Sequence, residues 1–138
     1  MIKSDGNWIV LGALVGFCAI LLGAGGSHWF DSLLSEKGKE TYTIGFRFHI
    51  VHVILIFVVT IMKSLISVDI KALKFCLWFF FLGIILFSGS LYVLGLSGIS
   101  YFGMIAPIGG LFFMIGWLCL AYAGFIIRSN RTKGDNFD

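Results

Sequence analysis

Between Phe75 and Ile127 the chain runs for 53 residues without a single Asp, Glu, Lys, Arg or His. A water-soluble domain of this size cannot keep so long an uncharged stretch out of solvent, whereas a bilayer demands one: a spanning helix takes about 20 apolar residues to cross roughly 30 Å of hydrocarbon. The stretch is too long for one crossing and suits two joined by a short turn. Gly95, Ser97, Gly98, Ser100 and Gly103 interrupt the helical pattern, and Pro107 follows where a new helix tolerates a residue without an N–H. Two spans are therefore expected at residues 75–95 and 107–127.

The rest of the chain has the same character. It is 59% hydrophobic and only 12% charged, against about 25% charged in an average soluble domain. At 138 residues it has room for a single bundle, read as one domain over 1–138. The net charge of +3 does not point to nucleic acid, because the basic residues sit at span edges and form no patch interleaved with aromatics. Cys18, Cys76 and Cys119 each lie in an apolar stretch and read as small buried hydrophobes rather than a disulfide framework.

Upstream, residues 8–26 form a first span opened by Trp8, an aromatic suited to the interface. A cleaved signal peptide is the alternative, with Lys3 as a weak basic start and Ala24, Gly25 and Gly26 as small residues, but the apolar core exceeds the usual 7 to 15 residues. Residues 31–40 hold five charges and read as an interfacial loop or short helix outside the bilayer. The apolar run at 50–62 is too short to span and is interrupted by His52, so the second span must begin near Thr43 and run over 43–62. That pulls Arg47, His49 and His52 into its first turns. Lys63, Asp69, Lys71 and Lys74 then form a basic connector.

The expected fold is an all-α integral membrane bundle of four transmembrane helices. Lys3, Lys63, Lys71, Lys74, Arg128, Arg131 and Lys133 fall on one side, and the positive-inside rule puts that side, with both termini, in the cytoplasm or the corresponding organellar compartment. This topology gathers His28, Arg47, His49, His52, Ser88, Ser90 and Tyr92 at the outer edge, as a polar network or ligand site. His49 and His52, three apart, share a helix face with Gly45. Ionisable groups within a span are costly and suggest function, yet a histidine hydrogen-bonded within the bundle is the simpler reading. Arg47 is expected to snorkel to the headgroups.

Other chemistries find less support. His49 and His52 with His28 give at most three ligands and no Cys or carboxylate to complete a metal set, so no metal or cofactor is assigned. A proton relay would lack an intramembrane Asp or Glu in the four spans. Ser88 or Ser90 would need an orienting acid and an oxyanion hole to act as a nucleophile, and no enzyme is read here. Gly12, Gly16 and Gly23 form a small-residue stripe for helix packing, as do Pro107, Gly109 and Gly110 near the start of the last span. Gly83, Gly116 and Gly124 extend such patches, and Phe79, Phe80 and Phe81 read as lipid-facing bulk.

Four motifs occur in order: Gly23-Ala-Gly-Gly-Ser-His28, Arg47-Phe-His-Ile-Val-His52, Leu86-Phe-Ser-Gly-Ser-Leu-Tyr92, and Ala106-Pro-Ile-Gly-Gly110 with Gly116-Trp-Leu118. Together they resemble the domain-of-unknown-function 423 family, which includes eukaryotic transmembrane protein 256 and small bacterial inner-membrane relatives. The resemblance implies a polytopic protein of a bacterial cytoplasmic membrane or the mitochondrial inner membrane, with no established reaction. His28 and His52 fit the family pattern. The first motif departs from it, reading Gly-Ser-His-Trp where Gly-Ala-His-Gly is usual, and many bacterial relatives carry Gln where this chain has His49. The expected role is structural or accessory, with a homo-oligomer or larger membrane complex and the lipid bilayer as partners. A proton or small-solute transporter or channel is the alternative, followed by a metal or haem binder.

Overall fold

The computed structural model describes residues 2–66 and 69–134, and every regular element among them is helical. α1 runs over Ile2–His28, α2 over Glu36–Leu65, α3 over Lys71–Gly83, α4 over Gly89–Ser97 and α5 over Ala106–Gly134. A π-helical turn, Ile84–Ser88, joins α3 to α4 into one continuous rod, and a 3₁₀ turn, Ser100–Met104, precedes α5. Among the described residues four helices are long and apolar enough to cross a membrane: Asp5–Gly26, Glu36–Leu65, Lys71–Ser97 and Ser100–Asn130. The side chains of Lys3, Arg131 and Lys133, used above to orient the chain, lie outside the described residues.

Local chemistry sets the helix ends. Ser35 caps α2, its hydroxyl accepting the Gly38 N–H at 3.1 Å, and Glu36 in the first turn complements the positive end of the helix. The charged stretch thought to lie outside the bilayer therefore divides: residues 31–34 are loop, and Glu36 to Glu40 already belong to α2. At the other hairpin, Gly98 takes φ 70°, and its N–H donates to the Leu94 carbonyl at 2.8 Å. This left-handed cap ends α4 where a residue with a Cβ would be strained. Gly95 is not a breaker. It lies inside α4, where its backbone meets Gly38 of α2.

α2 is the central helix, in contact with α1 on one side and with α3, the π turn and α4 on the other, while α5 packs along α3. Its buried positions are Gly38, Tyr42, Gly45, His49, His52, Ile56, Val59 and Lys63, an alternation of four and three that keeps one stripe turned inward, widened by Val53 and Thr60. The α1 glycines answer it. A Cβ on Gly12 would meet Phe57 at 3.2 Å, one on Gly16 would meet Val53 at 3.2 Å, and one on Gly23 would meet Phe46 at 2.6 Å. Gly83 and Gly116 interlock α3 with α5 in the same way, against Phe113 and Phe80. Gly124 faces open space.

The main core lies where α2, α3 and α5 meet, around Ile56, Leu73, Leu77 and Phe80. Phe80 is fully buried, which corrects its reading as lipid-facing bulk. Cys18 is exposed while Cys76 is buried, so only part of the cysteine expectation holds. Outer faces are apolar: Leu14, Phe17 and Ile20 of α1 and Leu118, Tyr122 and Phe125 of α5 are each more than half exposed.

Candidate functional site

The buried stripe of α2 carries most of the polar chemistry. Because α2 starts at Glu36 rather than near Thr43, His49 lies 13 residues into the helix, about 20 Å along it at 1.5 Å per residue. It sits near the middle of a 30-residue helix rather than at its edge. His49 Nδ1 is 3.1 Å from the Tyr92 hydroxyl on α4. Tyr92 in turn packs its ring on Tyr42, with centroids 4.6 Å apart, and the Tyr42 hydroxyl donates to the Leu22 carbonyl of α1 at 2.8 Å. Three helices are thus connected through one histidine and two tyrosines.

Tautomer counting orients the His49–Tyr92 bond. If Tyr92 donates to Nδ1, the neutral imidazole keeps its proton on Nε2 and leaves one group unpaired. The reverse leaves both the phenolic proton and the Nε2 lone pair without partners, which is the costlier arrangement in a buried site. The main chain of Val15 in α1 approaches the same ring but closes no hydrogen bond of ordinary geometry on Nε2.

His52 faces elsewhere. Its Nδ1 donates to the Phe48 carbonyl of its own helix at 2.8 Å, since a carbonyl can only accept. Its ring stacks on Phe113 of α5, with centroids 3.6 Å apart and planes within 16°, and meets Phe80 edge-on at 5.2 Å. Nε2 is then a buried lone pair without a partner. The two histidines share a face of α2 but engage different neighbours, one polar and one aromatic.

Ser88 and Ser90 occupy the π turn and the start of α4. The Gly89 N–H reaches back five residues to the Ile84 carbonyl, a wide turn of the kind often found at functional sites. Gly109 of α5 abuts it so closely that a Cβ there would lie 2.2 Å from the Phe87 nitrogen. Ser90 returns its hydroxyl to the Phe87 carbonyl at 2.9 Å. Ser88 is fully buried and its hydroxyl has no hydrogen-bond partner among the described residues.

Of the seven expected residues, His49 and Tyr92 are hydrogen-bonded to each other, and among the described residues no hydrogen bond joins His28, Arg47, His52, Ser88 or Ser90 to that pair. His28 and Arg47 are exposed, His28 at the last residue of α1. Among the described residues there is no group of three His, Cys, Asp or Glu side chains placed to hold a metal.

Sequence reasoning passed over an ion pair. Asp5 of α1 and Lys63 of α2 are both buried and bonded to each other. The residue pattern places the start of the first span at Trp8 and puts Lys63 in the basic connector. Instead α1 extends upstream of Asp5, and Lys63 is in the last turn of α2. An acidic residue, Asp5, therefore does fall within a helix able to span, contrary to the expectation from the residue pattern. Two signals were available: Asp5 is three residues before buried Trp8, and Lys63 continues the α2 stripe.

Four long apolar helices, the central one studded with polar groups, define a polytopic α-helical membrane protein. A family model described as a protein of unknown function (DUF423) matches residues 22–110. The chain belongs to the DUF423 family. It is 36% identical to the UPF0382 membrane protein YwdK of Bacillus subtilis over 116 residues, covering 84% of this chain and 94% of the relative. It is 34% identical to a UPF0382 membrane protein of Haemophilus influenzae over 123 residues, covering 89% and 97%. The UPF0382 membrane protein SH2409 of Staphylococcus haemolyticus is 34% identical over 118 residues, covering 86% and 94%. No solved structure matches.

Proposed function

We propose that this protein is a non-enzymatic structural or accessory component of a bacterial cytoplasmic or mitochondrial inner membrane, with both termini on the cytoplasmic or equivalent side. It acts as an oligomer or within a larger assembly. The observation that carries this reading is where the interior polar groups are directed: Tyr42 to Leu22, His49 to Tyr92, and Lys63 to Asp5 all tie one helix of the chain to another. Such bonds set helix register inside a bilayer, where packing and hydrogen bonds replace the hydrophobic effect between helices. The catalytic alternative lacks its first requirement, because neither Ser88 nor Ser90 is hydrogen-bonded to a base. Purification in mild detergent followed by native mass measurement tests the proposal. Recovery of a defined oligomer or stoichiometric complex is the expected result, and a lone monomer with no companion counts against it.

A second reading, a proton or small-solute pathway, is favoured by one observation: Nε2 of His49, Nε2 of His52 and the Ser88 hydroxyl are all buried without partners. An unpaired ring N–H or hydroxyl can hold a transient solute, and the unpaired His52 lone pair can take up a proton. Flux into proteoliposomes across a pH series discriminates, and an unchanged rate in His52→Ala eliminates the pathway through that ring.

A further inference from the structure

One face of α2 near its start carries Lys39, Thr43 and Arg47, each four residues from the next and so stacked along the helix. All three line a cavity of about 560 Å³. Its opposite side is formed by Gly23 and Gly26 of α1 and by Asp31 and Leu34 of the connecting loop. The two cations of this cavity differ in their partners. Lys39 is held by Asp31 at 2.8 Å and by Glu36 at 3.7 Å, while Arg47 has no ion-pair or hydrogen-bond partner among the described residues. The Arg47 guanidinium is thus the unpaired cation of the cavity wall among the described residues.

Thr43 is unusual in its helix. Thr41, Thr60 and Ser64 each return the hydroxyl to a carbonyl of α2, the ordinary behaviour of such residues in helices. Thr43 makes no such bond and stands one turn from the guanidinium. A planar five-donor group and a free hydroxyl on one helix face are the complement of a phosphate diester. Gly23, Tyr42 and Phe46 belong to helices able to span the membrane, which makes a lipid a fitting occupant of the space between them. Leu34 and Phe46 supply apolar wall for its acyl portion.

We propose that this cavity binds one anionic phospholipid, its phosphate held by the Arg47 guanidinium and the Thr43 hydroxyl. The unpaired Arg47 guanidinium complements the single negative charge of a headgroup such as phosphatidylglycerol, whereas a zwitterionic headgroup brings a cation of its own beside it.

Native mass spectrometry of the full chain in neutral detergent, titrated with phosphatidylglycerol or phosphatidylcholine, tests this. The expected result is one retained phosphatidylglycerol per chain and little phosphatidylcholine. Apparent affinity for the anionic lipid should fall about tenfold in Arg47→Gln, the worth of a charge-assisted contact, and less in Thr43→Val. Lys71→Gln, at the start of α3, should retain the lipid as the parent does. Both site residues are exposed, and the Thr43 variant remains informative should the arginine variant fold poorly. Equal retention of the two lipids, equal loss in Lys71→Gln, or undiminished binding in both site variants would overturn the proposal. Glycerol phosphate in solution competing as well as the lipid would also overturn it, by making the cavity a soluble-anion site.

Discussion

His49 of α2 and Tyr92 of α4 share a hydrogen bond of 3.1 Å between buried side chains 43 positions apart in sequence. The bond sits at the centre of a path from α1 to α4, because the Tyr92 ring also rests on Tyr42 and Tyr42 is bonded to α1. Removing only the hydroxyl isolates its contribution. Tyr92→Phe keeps the ring contact and leaves His49 Nδ1 without a partner, so unfolding in detergent should become easier by about 1 kcal/mol, in the range measured for interhelical bonds in membranes. Combining it with His49→Leu should cost less than the sum of the two single changes. Strict additivity would mean the bond carries no energy.

The Asp5–Lys63 pair predicts an asymmetry between single and double substitution. Both side chains are buried, at 10% and 7% exposure, so Asp5→Ala strands an ammonium and should destabilise by about 3 kcal/mol or more. Replacing both partners together, Asp5→Leu with Lys63→Met, removes the stranded charge and should restore most of the loss. Thermal denaturation of the three variants checks this. A double variant no more stable than Asp5→Ala would show that the pair acts through something other than charge compensation.

Gly109 presses on the backbone of the π turn. Gly109→Ala would place a Cβ 2.2 Å from the Phe87 nitrogen and 2.7 Å from the Leu86 carbonyl carbon, and main chain cannot turn aside as a side chain can. The variant should lose its compact detergent-resistant state or melt well below the parent. Gly89→Ala, in the same turn with nothing within 4 Å of the added carbon, serves as the contrast and should be close to neutral. Equal behaviour of the two would disprove the close approach.

Gly38 and Gly95 form a reciprocal contact. A Cβ on Gly38 would come 2.6 Å from the Gly95 oxygen, and one on Gly95 would come 2.8 Å from the Gly38 oxygen. Either alanine substitution should therefore separate α2 from α4 near Tyr42 and Tyr92. A cysteine pair engineered elsewhere along that interface should cross-link more slowly in Gly95→Ala than in the parent, and an unchanged rate would argue that the helices do not meet there.

Much of the bundle was readable from residue order. The uncharged stretch, the Gly98 cap and the position of Pro107 at the head of α5 rest on desolvation and backbone geometry, which act locally. The α1 glycines were legible as packing positions because a small residue in an apolar helix has few other uses, though not that their partners would be Phe46, Val53 and Phe57 of α2. Helix starts were harder. Charged residues at 36–40 discourage extending a span through them, yet Ser35 caps the helix there and the charges simply occupy its first turns.

The polar site divides along the same line. That His49 and His52 lie on one helical face follows from their spacing alone, as 3.6 residues per turn requires. That one ring meets a tyrosine and the other a phenylalanine stack depends on which helices lie on either side of α2, and spacing carries no record of that. Asp5 and Lys63, 58 residues apart, show the limit most plainly. Hydropathy marks each as polar and assigns it to water. Only the antiparallel packing of α1 on α2 places one opposite the other, and the burial of both charges is tolerable because each neutralises its neighbour. The linear order of residues thus determined that this chain must live in lipid as helices, since unpaired backbone is unaffordable there. Which side chains became partners was decided by the assembled bundle, through distances that exist only once the helices have met.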